Sequence, residues 1–168
     1  MIRDRAEQRA LVERFAREHP SSVMWDGQGS LLDVRSGRTL PLDLSRVSGV
    51  EERKDRDTGR PYLAVARDDG AEIALADAGV VFAPVTAGTG PIEGLPSAVC
   101  LADLAQAEGR LAHLLLDHPG EAPDRTHLSL FLFCLAVVDG ARAAGFDVSA
   151  EERRLERLLG ELEARRRG

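Results

Sequence analysis

Lysine is nearly missing from this 168-residue chain: Lys54 stands alone against 21 arginines. With 23 alanines and 16 glycines beside it, that bias reads as GC-rich coding and points to a bacterial source. Aromatic residues are scarce at 4 %, so any core has to be assembled from Leu, Val and Ala. Cys100 and Cys134 are the two cysteines, each among apolar neighbours. That pattern excludes a disulfide scaffold and suits a reducing cytoplasm. The net charge of −6 removes the positive field that draws nucleic acid or an anionic bilayer, so neither is expected as a partner. The opening Met-Ile-Arg-Asp-Arg is charged from the start, unlike a secretory leader, and the expected location is the cytoplasm. Catalytic signatures are missing too. The chain has no Gly-x-Ser-x-Gly elbow, no P-loop and no His-Glu-x-x-His, so neither acyl transfer nor a zinc helix is signalled. No metal or cofactor is expected.

Long apolar runs are rare, and the one present organises the rest. Between Thr126 and Phe146 the residues Leu128, Leu130, Phe131, Leu132, Phe133, Cys134, Leu135, Val137 and Val138 crowd together. A bilayer crossing takes roughly 20 apolar residues, and Asp139 and Arg142 interrupt this run early. It reads as a central core helix, apolar all round and therefore buried all round.

Ahead of it the chain changes character twice. Residues 3–18 form a charged helix with a short stripe of Leu11, Val12, Phe15 and Ala16, stopped at His19-Pro20. From Ser22 to Val85, turn signals at Asp26-Gly27, Ser36-Gly37, Thr58-Gly59 and Asp69-Gly70 separate short β-compatible runs. The strands expected are 22–26, 30–34, 38–44, 46–54, 61–67, 71–76 and 79–84. They amount to an antiparallel meander of about six strands, a curved sheet or small open barrel. The clearest pair is the hairpin from Pro61 to Ala76, in which Leu63 and Val65 face Ile73 and Leu75 across Asp69-Gly70.

Thr86 to Pro96 reads as a linker. Its Gly88-Thr-Gly90-Pro-Ile-Glu-Gly94 follows a strand as a phosphate loop would, but Glu93 replaces the needed glycine and prolines flank it. A helix over 98–117 follows, carrying Leu101, Leu104, Leu111 and Leu115 on one face. After the central helix a last one opens at Ser149, with Ser149 and Glu152 as a capping box. The fold class expected is α+β: an N-terminal helix, the meander, then three C-terminal helices. The units are 1–86 and 97–168, together one domain or one domain with a subdomain.

Two groups of residues carry the functional expectations. The first is His113, Asp117, His118, Asp124 and His127, metal-ligand types at the hinge between two helices. His113 and Asp117 share a helix face, whereas His118 lies about 140° round, so the spacing favours helix ends over a metal site. The second is the stripe Leu155, Leu158, Leu159 and Leu162 on the last helix. It either covers the central helix or offers a seam to a partner, flanked by Glu and Arg. Cys134, between Phe133 and Leu135, is placed as core rather than nucleophile. The function expected is a non-catalytic cytoplasmic protein-binding module, an adaptor, chaperone-like or regulatory subunit. Its partner is another protein or a second copy of itself. The alternative is a small enzyme or ligand-binding domain using the histidine cluster in a pocket between sheet and helices.

Overall fold

The computed structural model describes residues 2–86 and 95–167. Helix α1 spans Arg5–Glu18, and Asp4 caps it by accepting from the Ala6 and Glu7 N–H groups. Seven strands follow: β1 (Val23–Trp25), β2 (Ser30–Asp33), β3 (Arg38–Pro41), β4 (Val47–Lys54), β5 (Pro61–Arg67), β6 (Glu72–Ala76) and β7 (Gly79–Phe82). Helices α2 (Leu101–Asp117), α3 (Arg125–Ala144) and α4 (Ser149–Arg167) complete the chain. The fold is α+β, as the patterning predicts.

The strands do not form one meander. They make two open antiparallel sheets, β1-β2-β3 and β4-β5-β6-β7. The break lies at residues 42–46, between the strands expected at 38–44 and 46–54. There Asp43 accepts from the Ser45 N–H at 2.9 Å and hydroxyl at 2.6 Å, closing a 3-10 turn over Leu44–Arg46. A side chain that satisfies its own backbone in this way competes with the ladder. The Pro61–Ala76 hairpin has the expected register: Leu63 faces Leu75 and Val65 faces Ile73. One step on, Leu75 faces Val80 and Ile73 faces Phe82. These pairs stand on one face, and all six side chains are buried.

That face meets the helices in one contiguous core, which α1 enters with Val12 and Phe15 and the helical half with Leu104, Leu111, Phe131, Val137, Leu155 and Leu162. Helix α3 runs against β7 at Gly140, where a Cβ would stand 2.4 Å from the Ala83 carbonyl oxygen. The Val85 N–H donates to the Ala136 carbonyl at 3.0 Å, binding the outgoing strand to the same helix.

Two local expectations are corrected here. The cap of α4 is Asp147, not Ser149: its carboxylate accepts from the Ser149 N–H at 3.1 Å and hydroxyl at 2.6 Å. Glu152 is drawn away to Arg142 instead. The larger correction concerns α3, which is apolar all round without being buried all round. Phe131, Cys134, Val137, Val138 and Ala141 are buried, while Leu130, Leu132, Phe133 and Leu135 are half-buried and Leu128 is 51 % exposed. Helices α2 and α4 and strand β7 cover only part of its circumference. As a 20-residue helix α3 has the length and apolarity to cross a bilayer, with half of its apolar window buried inside the fold.

Candidate functional site

The histidine cluster separates into three local pairs. His113 Nε2 lies 3.0 Å from Asp117 Oδ2 on an exposed flank of α2. One turn beyond, His118 Nδ1 is 3.3 Å from Glu121 Oε2 in the connecting loop. His127 Nδ1 is 2.8 Å from Asp124 Oδ1, and both belong to a reciprocal cap: Asp124 accepts from the Thr126 and His127 N–H groups while the Asp124 N–H donates to His127 Nδ1. Those contacts from His127 first, and then its backbone, hold the Asp124 carboxyl below its usual range. No three His, Cys, Asp or Glu side chains among the described residues converge on a point that could hold a metal ion. These side chains serve helix ends, where capping and the dipole make use of them.

The thiols are no better placed for chemistry. Cys134 is fully buried, and burial first, then the Glu108 carboxylate, pushes its pKa up to about 12. Cys100 precedes α2, and its Sγ is 3.4 Å from Asp103 Oδ2; burial again raises its pKa. Neither thiol forms the thiolate a nucleophile needs. The glycine-rich loop 88–94 lies outside the described residues.

A cleft of about 650 Å³ opens between α1 and the first sheet, lined by Arg5, Arg9, Trp25, Asp43 and Ser45 among others. Its polar groups are committed locally: Arg9 donates to the Gly27 carbonyl at 3.1 Å and Asp43 closes its own turn. Met24, beside Trp25, projects into solvent.

The terminal stripe divides. Leu155 and Leu162 are buried in the common core and Leu158 is half-buried, while Leu159 remains 39 % exposed. Three of the four close the monomer's own core and only the last is offered to solvent.

Leu159 is not isolated. Arg142 Nε donates to Glu152 Oε1 at 3.0 Å, tying the end of α3 to the start of α4. Leu135 lies seven residues before Arg142 and Leu159 seven after Glu152, about two turns along each helix. Leu128, Leu132 and Leu135 run at i, i+4 and i+7 along α3, the spacing of a helix–helix seam, with Leu128 exposed and Leu135 packed at the edge of the core. Leu132 is half-buried yet outside the core cluster, so it stands on the surface. Val85, itself exposed, borders the flank through its bond to Ala136. Sequence patterning located the leucines of α3 but counted them as core. It had no means of showing which side of an all-apolar helix would go uncovered.

No protein-family model matches this chain, and neither a curated protein nor a solved structure is found that matches it.

Proposed function

We propose that this chain is a non-catalytic cytoplasmic protein-binding module, an adaptor, chaperone-like or regulatory subunit, that docks through the outer flank of α3. The observation carrying this reading is the partly uncovered flank of α3, where Leu128 is exposed and Leu132 is half-buried outside the core, together with the exposed Leu159 of α4. Leucines repeated along one helix face and left in water favour association, whereas scattered single ones do not. The small-enzyme alternative finds less support, because its histidines and carboxylates pair off one turn at a time.

A photoreactive amino acid placed at Leu132 tests this in the cells that make the protein. Irradiation should give a defined protein adduct, and the same group at Leu116, 77 % exposed on α2, should give none. Equal labelling at the two positions, or no adduct at Leu132, would sink the reading.

A further inference from the structure

The uncovered flank of α3 has a charge pattern along its length as well as an apolar middle. At one end stand Arg125, the first residue of α3, and Arg166, near the end of α4. At the other end stand Asp139 on α3 and Glu152 and Glu156 on α4. Asp139 and Glu152 share Arg142. Among the described residues Glu156 forms no ion pair, and neither does Arg125 or Arg166. The flank therefore has a free guanidinium end, Leu128 and Leu132 with Leu135 at the edge of the core, and an end with a free carboxylate. Along α3 the order Arg125, Leu128, Leu132, Leu135, Asp139 continues the alternating three- and four-residue steps of a helix–helix contact.

We infer that the occupant of this flank is a second copy of the same chain, packed about a two-fold axis passing near Leu132. The inference rests on reading the flank as a docking surface and names what docks there. A two-fold contact is self-complementary, since each residue meets the counterpart of its own mirror position. With the axis at Leu132, the α3 helices cross antiparallel and the leucines of one copy fall between those of the other. Arg125, seven residues before Leu132, then comes over the partner's Asp139, seven residues after it. Glu156 is one turn past Glu152 on α4, and Glu152 is held at that end of α3 by Arg142, so in this arrangement Glu156 also faces the partner's Arg125. A parallel pairing would set arginine on arginine and carboxylate on carboxylate, which costs stability. A bilayer accounts for the leucines but not for carboxylates at one end of the seam in a chain of net charge −6. Self-association uses both ends.

Sedimentation equilibrium on the full chain, from micromolar to roughly 1 mM, reads the proposal directly. The expected result is a monomer–dimer equilibrium that weakens as salt screens the end charges. Leu132→Glu should leave a folded monomer with the wild-type circular dichroism spectrum. Arg125→Glu should weaken the dimer roughly fivefold, because it then meets the partner's Asp139 and Glu156, and adding Asp139→Arg and Glu156→Arg should restore it, since both pairs are then reversed. This charge exchange stands on residues outside the core and decides the matter even if Leu132→Glu fails to fold. A strict monomer, a dimer indifferent to Leu132→Glu, or a charge exchange that does not recover would each overturn the second copy as occupant. Flotation of the monomer with phosphatidylcholine vesicles would assign the flank to lipid and overturn it as well. The Leu132 photo-adduct separates the two readings. A foreign protein in the adduct keeps the docking surface and removes the self-pairing; an adduct of two chains keeps both.

Discussion

Asp33 is the costliest single residue in the fold. It is 1 % exposed, and its Oδ1 has no hydrogen-bond partner. That oxygen sits 2.3 Å from where a Cβ on Gly79 would stand. Gly79 has φ +101, so both its backbone and its missing side chain are required at the point where the two sheets meet. Burial raises the Asp33 pKa above 3.8. An acid whose folded pKa exceeds its unfolded one binds more protons when folded, so its contribution falls as pH rises from 3.8 through the folded value. Asp33→Asn should therefore stabilise the protein at neutral pH by about 1 kcal/mol, the order of an unpaired buried polar group. The gain should vanish near pH 3.8. Thermal melts at the two pH values check this, and a loss of stability at neutral pH would refute it. The exposed turn aspartates run the other way. Backbone N–H groups accepted by Asp26 and Asp55 hold them below 3.8, so what they contribute is present above that value and lost as pH falls beneath it. The arginine bias also gains meaning at this scale. Arg67 closes the end of α3 on the Ala143 and Ala144 carbonyls, and Arg165 closes α2 with bonds of 2.8 Å to the Leu115 and His118 carbonyls. A guanidinium fork suits two adjacent carbonyls better than an ammonium does.

Among elements, α3 is the one whose composition was plain and whose surroundings were not. Its apolar content is written in its residues, but the gap in its cover depends on where α2, α4 and β7 come to rest. Gly140 marks the closest of these approaches, with the Ala83 carbonyl in the space a methyl group would need. Gly140→Ala should destabilise by about 2 kcal/mol, because the backbone of residues 83 and 84 has to move and the better helix propensity returns only part of that. Gly109→Ala and Gly160→Ala, also in helices but with nothing within 4 Å of the added atom, should stabilise by about 0.5–1 kcal/mol each. Denaturant titration of the three variants separates a packing glycine from two propensity defects. Uniform stabilisation across all three would show that α3 does not press on β7.

At the scale of the molecule, the halves 1–86 and 97–168 share one core and a chain of charges across it. Arg38 of β3 contacts Glu151 of α4, Arg154 lies 3.7 Å from Glu151, and Arg154 Nε is 2.9 Å from Glu108 of α2. Glu151 is buried, and its second carboxylate oxygen has no partner. Unfolding should therefore be a single transition. Fluorescence of Trp25, the only tryptophan, reports the N-terminal half, and far-ultraviolet circular dichroism mainly reports the helices; the two curves should coincide. Arg38→Ala should shift both together by about 2 kcal/mol, since it leaves a buried carboxylate with Arg154 alone at 3.7 Å, and Glu151→Gln should cost less because it removes that charge. Separate transitions would mean that the halves fold as two units.

Strands β1 to β7, all four helices and the Leu63–Leu75 register were legible because each follows from spacing within a few residues: a turn glycine, a period of two, a period of 3.6. The division into two sheets was not, since the Asp43 turn decides only that a ladder stops and the partner of the next strand lies elsewhere in the chain. Asp124 was legible as the cap of α3 for the same local reason. The candidate docking flank needed the tertiary structure. Leu128 and Phe131 are equally apolar and three residues apart, and one is in water while the other is in the core. Hydrophobicity tells a side chain to seek cover, whereas the number of neighbours that arrive to give it is set by the packing of the whole chain.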